Sequence, residues 1–97
     1  MNDAFERLSR SLEAKSPIDI DGTPFAIWLI DVRTPRTPGS AHSLVVVGAK
    51  SASQSYTGEL HLGHDRLEDA EFVVENAIET MRQIVRGDLP PGAISLL

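Results

Sequence analysis

A chain of 97 residues, 41% apolar and 24% charged, has room for one hydrophobic core and an ordinary globular composition, which argues against a second domain and against wholesale disorder. The absence of cysteine excludes a disulfide framework, a thiolate metal site and a cysteine nucleophile. The net charge of −5 is unevenly placed: residues 1–50 hold six acids and six bases, whereas residues 51–97 hold eight acids and three bases. Phosphate backbones are gripped by Lys and Arg, so the acidic half disfavours direct nucleic-acid binding and permits a basic protein partner.

Asp3 to Lys15 reads as a short helix, with Asp3 and Glu6 at capping-box spacing and Phe5, Leu8 and Leu12 forming a narrow apolar stripe. Ser16-Pro17 ends it, because the residue before a proline is pushed out of the helical region. Ile18-Asp19-Ile20-Asp21 alternates as an edge strand, Gly22-Thr23-Pro24 is turn chemistry, and Phe25 to Val32 is a nearly continuous apolar strand. The loop Arg33-Thr34-Pro35-Arg36-Thr37-Pro38-Gly39-Ser40 predicts a stiff basic finger leading to a second apolar strand, Leu44 to Ala49. Ser51 to Ser55 reads as a flexible hairpin tip before a strand from Tyr56 to Leu62.

A long helix is expected from Asp65 to Arg86, opened by a capping box at Asp65 and Glu68 and closed by Gly87. Its stripe is Leu67, Ala70, Val74, Ala77, Ile78, Met81, Ile84 and Val85, which leaves Phe72 on the opposite side among Glu68, Glu75 and Glu79. An aromatic there needs a cover, either the apolar tail (88–97, with Ile94, Leu96 and Leu97) or an outside partner. The expected fold is therefore a single α+β domain over 1–97, in the order α-β-β-β-β-α. A short helix (3–15) and a longer C-terminal one (65–86) pack on a four-stranded antiparallel meander (18–62). Both helices on one sheet face would leave Trp28, Ile30 and Val32 bare on the other, to be covered by the tail, the first helix or a second copy.

The helix–strands–helix order resembles that of the double-stranded RNA-binding domain, but only in topology. That family carries phosphate-gripping lysines at the start of its last helix, where this chain has His64-Asp65-Arg66-Leu67-Glu68-Asp69, and it is not assigned.

Chemistry-bearing constellations are sparse. His61 and His64 supply at most two zinc ligands; antiparallel pairing brings His42 near His61, with Glu59 or Asp65 as a fourth candidate, yet surface histidines explain the pattern equally. Asp19-X-Asp21-Gly22 is no calcium loop, since Pro17 and Trp28 stand where the first and last ligands belong. There is no Gly-X-Ser-X-Gly elbow and no glycine-rich phosphate loop. No catalytic residue, metal or cofactor is assigned. No stretch approaches the roughly 18 apolar residues of a membrane span. Met1 to Glu6 lacks the features of a signal peptide or a myristoylation site, and a cytoplasmic location is expected.

The reading these features favour is a non-enzymatic protein–protein interaction module: an inhibitor, an immunity-type protein, or a small regulatory or adaptor protein. Its expected contact residues are Glu68, Phe72, Glu75 and Glu79 on the acidic helix, with Arg33 and Arg36 on the finger. The alternatives are a small-molecule or metal-binding domain using the sheet face or the histidines, and an oligomerisation subunit (a homodimer) using Trp28 and Ile30.

Overall fold

The computed structural model describes residues 3–33 and 42–96, apart from the side chains of Asp3 and Leu96. Helix α1 (Asp3–Glu13) is followed by strands β1 (Ile18–Ile20), β2 (Thr23–Arg33), β3 (His42–Lys50) and β4 (Ser55–Gly63). A 3-10 turn (His64–Glu68), helix α2 (Ala70–Arg86) and strand β5 (Ile94–Leu96) complete the order. The α+β class is as expected, but the sheet is not a four-stranded meander. β1 to β4 pair antiparallel in chain order, and the apolar tail adds β5 parallel to β4, giving a five-stranded mixed sheet. The parallel pairing requires a crossover, and α2 supplies it. Among the described residues no helix is long and apolar enough to cross a membrane.

Both helices lie on the same face of the sheet. Leu8 and Leu12 of α1, and Val73, Val74, Ala77, Met81 and Ile84 of α2, are buried with Phe25, Ile27, Leu29, Val45, Val47, Leu60 and Leu62 from the strands. Alternation along each strand sends these residues inward and their neighbours outward. Gly58 lets α2 close onto β4: a Cβ there would stand 2.8 Å from the Cδ1 of Ile84. Thr80, buried on α2, shares a 3.0 Å hydrogen bond with Ser95 of β5, so the last strand is tied to the helix as well as to β4.

Local chemistry corrects several expected boundaries. Asp21 and Gly22, with φ of 52° and 87°, form the two-residue loop between β1 and β2, so Asp21 leaves the strand and Thr23 begins the next one. Asp21 then pairs with Arg86 at the end of α2, at 3.2 Å. The β3–β4 tip is braced by Ser51, whose Oγ accepts from the Gln54 N–H (3.1 Å) while its own N–H donates to the Gln54 carbonyl (2.8 Å).

Strict alternation is broken in β2. Leu29 faces Val47 and Asp31 faces Val46, so Ile30 is the extra residue of a bulge. The bulge turns Asp31 outward and Val32 into the core, where Val32 is buried. Trp28 and Ile30 therefore share the outer face without Val32. Continued alternation would have placed the Asp31 carboxylate beside Leu29, and burying an unpaired charge is what the bulge avoids.

The long helix does not start at Asp65. Residues His64–Glu68 make a 3-10 turn that buries Leu67, and the capping residue is Asp69, whose Oδ1 accepts the Phe72 N–H at 3.1 Å. The Asp65–Glu68 capping box is thus not the start signal, and the Asp3 side chain of the other lies outside the described residues. Gly87, with φ of 87°, closes α2 as expected. Substituting Asp69→Ala is expected to lower stability in urea by about 1 kcal/mol. Asp65→Ala removes the same charge and should change it by less than about 0.5 kcal/mol. Equal effects would contradict this start.

Candidate binding surface

With both helices on one face, the other face of the sheet is uncovered among the described residues. Its outward residues follow from the register: Trp28, Gly48 and Thr57 form one row, then Asp31, Val46, Glu59 and Ile94, then Arg33, Leu44 and His61. Ile30 is 42% exposed and Ile94 55%, and these are the two large hydrophobic residues most open to solvent among the described residues. Trp28, Leu44 and Val46 are half-buried between them.

Trp28 and Gly48 are complementary in shape. A Cβ at Gly48 would come within 2.5 Å of Trp28 Cζ2 and 2.7 Å of Cε2, so the indole lies against the β3 backbone where a side chain is missing. The aromatic is thereby laid across two strands. At the outer end of β2 the Asp31 carboxylate accepts from Arg33 Nε at 2.9 Å, an exposed pair that neutralises both charges on this surface.

A shallow depression of about 340 Å³ lies at one end of the face, lined by Arg33, His42, Leu44, Glu59, His61 and Ile94. His42 and His61 are brought together there, with ring centroids 5.0 Å apart, as the antiparallel register implies. His64 does not join them; its Nδ1 is hydrogen-bonded to Ser43 Oγ. The three histidines therefore do not converge. Among the described residues no group of three or more His, Cys, Asp or Glu side chains is placed to hold a metal ion. The Ser43–His64 contact has the residue types of a nucleophile and its base, but Ser43 is 0% exposed, and a nucleophile must reach its substrate.

The sequence-derived contact residues fall on opposite sides of the molecule. Glu68, Glu75 and Glu79 are exposed on the helical side, whereas Arg33, Trp28 and Ile30 lie on the open sheet face; Arg36 is outside the described residues. Glu79 is engaged locally by Arg82 (3.6 Å) and Gln83 (3.3 Å). Phe72 is half-buried against the core, with the Arg66 guanidinium 4.7 Å above its ring centroid. Its cover therefore comes from the 3-10 turn of its own chain, and the tail is engaged elsewhere, as β5. The sequence signal for that cover was the Arg66–Phe72 separation across a helix start, which a continuous-helix reading conceals.

Comparison of the chain with protein-family models, with curated proteins and with solved structures finds no match.

Gly48→Ala is expected to displace the Trp28 indole, lowering stability by about 1–3 kcal/mol. The emission of Trp28, the chain's single tryptophan, should shift to the red. An unshifted spectrum with unchanged stability would refute the Trp28–Gly48 contact. Phe72→Ala is expected to cost about 1–2 kcal/mol of folding stability, a partial form of the penalty for a fully buried ring. A cost below about 0.5 kcal/mol would mark Phe72 as a surface residue.

Proposed function

We propose that this protein is a non-enzymatic protein–protein interaction module whose contact surface is the open face of its sheet. The observation that carries the reading is the apolar patch of Trp28, Ile30, Leu44, Val46 and Ile94 on β2 to β5, uncovered among the described residues, with both helices spent on the opposite face. Exposed apolar surface rimmed by polar groups is characteristic of association sites, and a large aromatic at such a site is the usual energetic anchor. The exposed acids Glu68, Glu75 and Glu79 act at longer range: they set the sign of the molecule's field and so the rate at which charged partners approach. Phe72, roofed by Arg66, contributes to folding rather than to contact.

The test is capture by the immobilised full chain from an extract of cells that make it, to which an untagged copy of the chain has been added. Ile30→Asp with Ile94→Asp should reduce capture of the bound species at least about tenfold, the effect of losing roughly 1.4 kcal/mol of binding. Glu75→Gln with Glu79→Gln should leave the bound amount within about twofold while altering its salt dependence. Capture that is indifferent to the Ile30 and Ile94 substitutions would remove the sheet face from the function.

A further inference from the structure

We infer that the partner seated on the open sheet face is a second copy of this chain, packed sheet to sheet. The inference rests on the reading of that face as the contact surface and adds the identity of the occupant.

Charge distribution selects the occupant. On strands β2 to β5 the outer face carries two acids, Asp31 and Glu59, and two bases, Arg33 and Lys50, with Asp31 and Arg33 already joined; Asp19 of β1 adds a third acid at its far edge. The molecule's excess negative charge lies on the helical side, where residues 65–79 hold six acids against Arg66. A basic partner is drawn to those helical acids and gains little from a nearly balanced face. For two copies, each with a net charge of −5, sheet-to-sheet contact is the approach that keeps the acidic surfaces apart. Stacked sheets sit about 10 Å apart, with a helical layer beyond each sheet, so the two α2 acid rows would be separated by roughly 30 Å. That is several times the Debye length of about 8 Å at physiological salt, so the like charges scarcely interact.

The size of the face fits the same occupant. β3 and β4 each run nine residues, or about 30 Å; β2 to β4 span roughly 14 Å, and β5 adds three residues, about 10 Å, along one edge. Their projected area is about 480 Å², and side-chain relief raises the accessible area above it. Buried on both copies, that is about 960 Å² before relief, and relief brings it toward the lower limit of specific interfaces, about 1,200 Å² in total. A two-fold contact is self-complementary, so each Trp28 platform meets the matching surface of the other copy.

Sedimentation equilibrium of the full chain over roughly 1–200 µM tests the assignment, a range that resolves a micromolar dissociation constant. The expected result is a mass that doubles with concentration, accompanied by a blue shift of Trp28 emission. Both should persist or strengthen at about 0.5 M salt, where residual repulsion between copies is screened. Ile30→Asp with Ile94→Asp should be monomeric throughout with unchanged circular dichroism, whereas Glu75→Gln with Glu79→Gln should still dimerise. A monomer at the highest concentration, or a dimer that survives the Ile30 and Ile94 substitutions, would overturn the inference. If the chain is monomeric yet the same substitutions abolish capture of a different protein, the sheet face keeps its role and only the second copy is rejected.

Discussion

Helix α2 rests on β4 where Gly58 offers no side chain, and the ends of Ile84 and Met81 occupy the space a Cβ would fill. That close approach anchors the rest of the architecture. It brings the stripe Val74, Ala77, Met81 and Ile84 onto Leu60 and Leu62, leaves room beside it for α1 over β2, and puts Thr80 within reach of Ser95. Because α2 also carries the chain from the end of β4 back to its start, β5 can join the sheet only in parallel. One helix–strand contact thus sets the layer order, the direction of the last strand and the face that stays open.

The open face is shaped by two departures from regular strand chemistry. Gly48 removes a side chain and receives the Trp28 indole, so the largest outward residue lies along the sheet rather than standing up from it. The bulge at Ile30 places two consecutive residues outward and adds local twist to β2, whose outer edge beyond Phe25 has no strand partner among the described residues. Bulges and charged side chains are devices that discourage edge-to-edge pairing, and the Asp31–Arg33 pair stands at this edge. The edge is therefore defended while the apolar face beside it is not.

Charge and hydrophobicity are sorted onto opposite sides. The acids on the exposed surface of α2 and its preceding turn give that side a negative field that repels phosphate, and the outer face of β2 to β5 is nearly neutral. In the proposed association, long-range electrostatics would govern encounter and short-range apolar contact residence.

Much of this was legible in the residues alone. Periodicity marked both helices and the three long strands, Gly87 marked the end of α2, and antiparallel logic brought His42 beside His61. The outward placement of Trp28 and Ile30 also followed, since alternation in an apolar strand must send side chains both ways. What local pattern could not resolve were competitions settled by burial. Asp69 rather than Asp65 caps α2 because Leu67 is drawn into the core within a 3-10 turn. Val32 turns inward because the bulge spares Asp31 a buried position. Arg66 reaches Phe72 only because that turn breaks the helix between them. The tail becomes β5 because α2 returns the chain to the free edge of β4. Spacing along the chain determines what each segment can form and which residues must leave water; which neighbour receives them depends on contacts between segments far apart in sequence, and those exist only once the chain has folded.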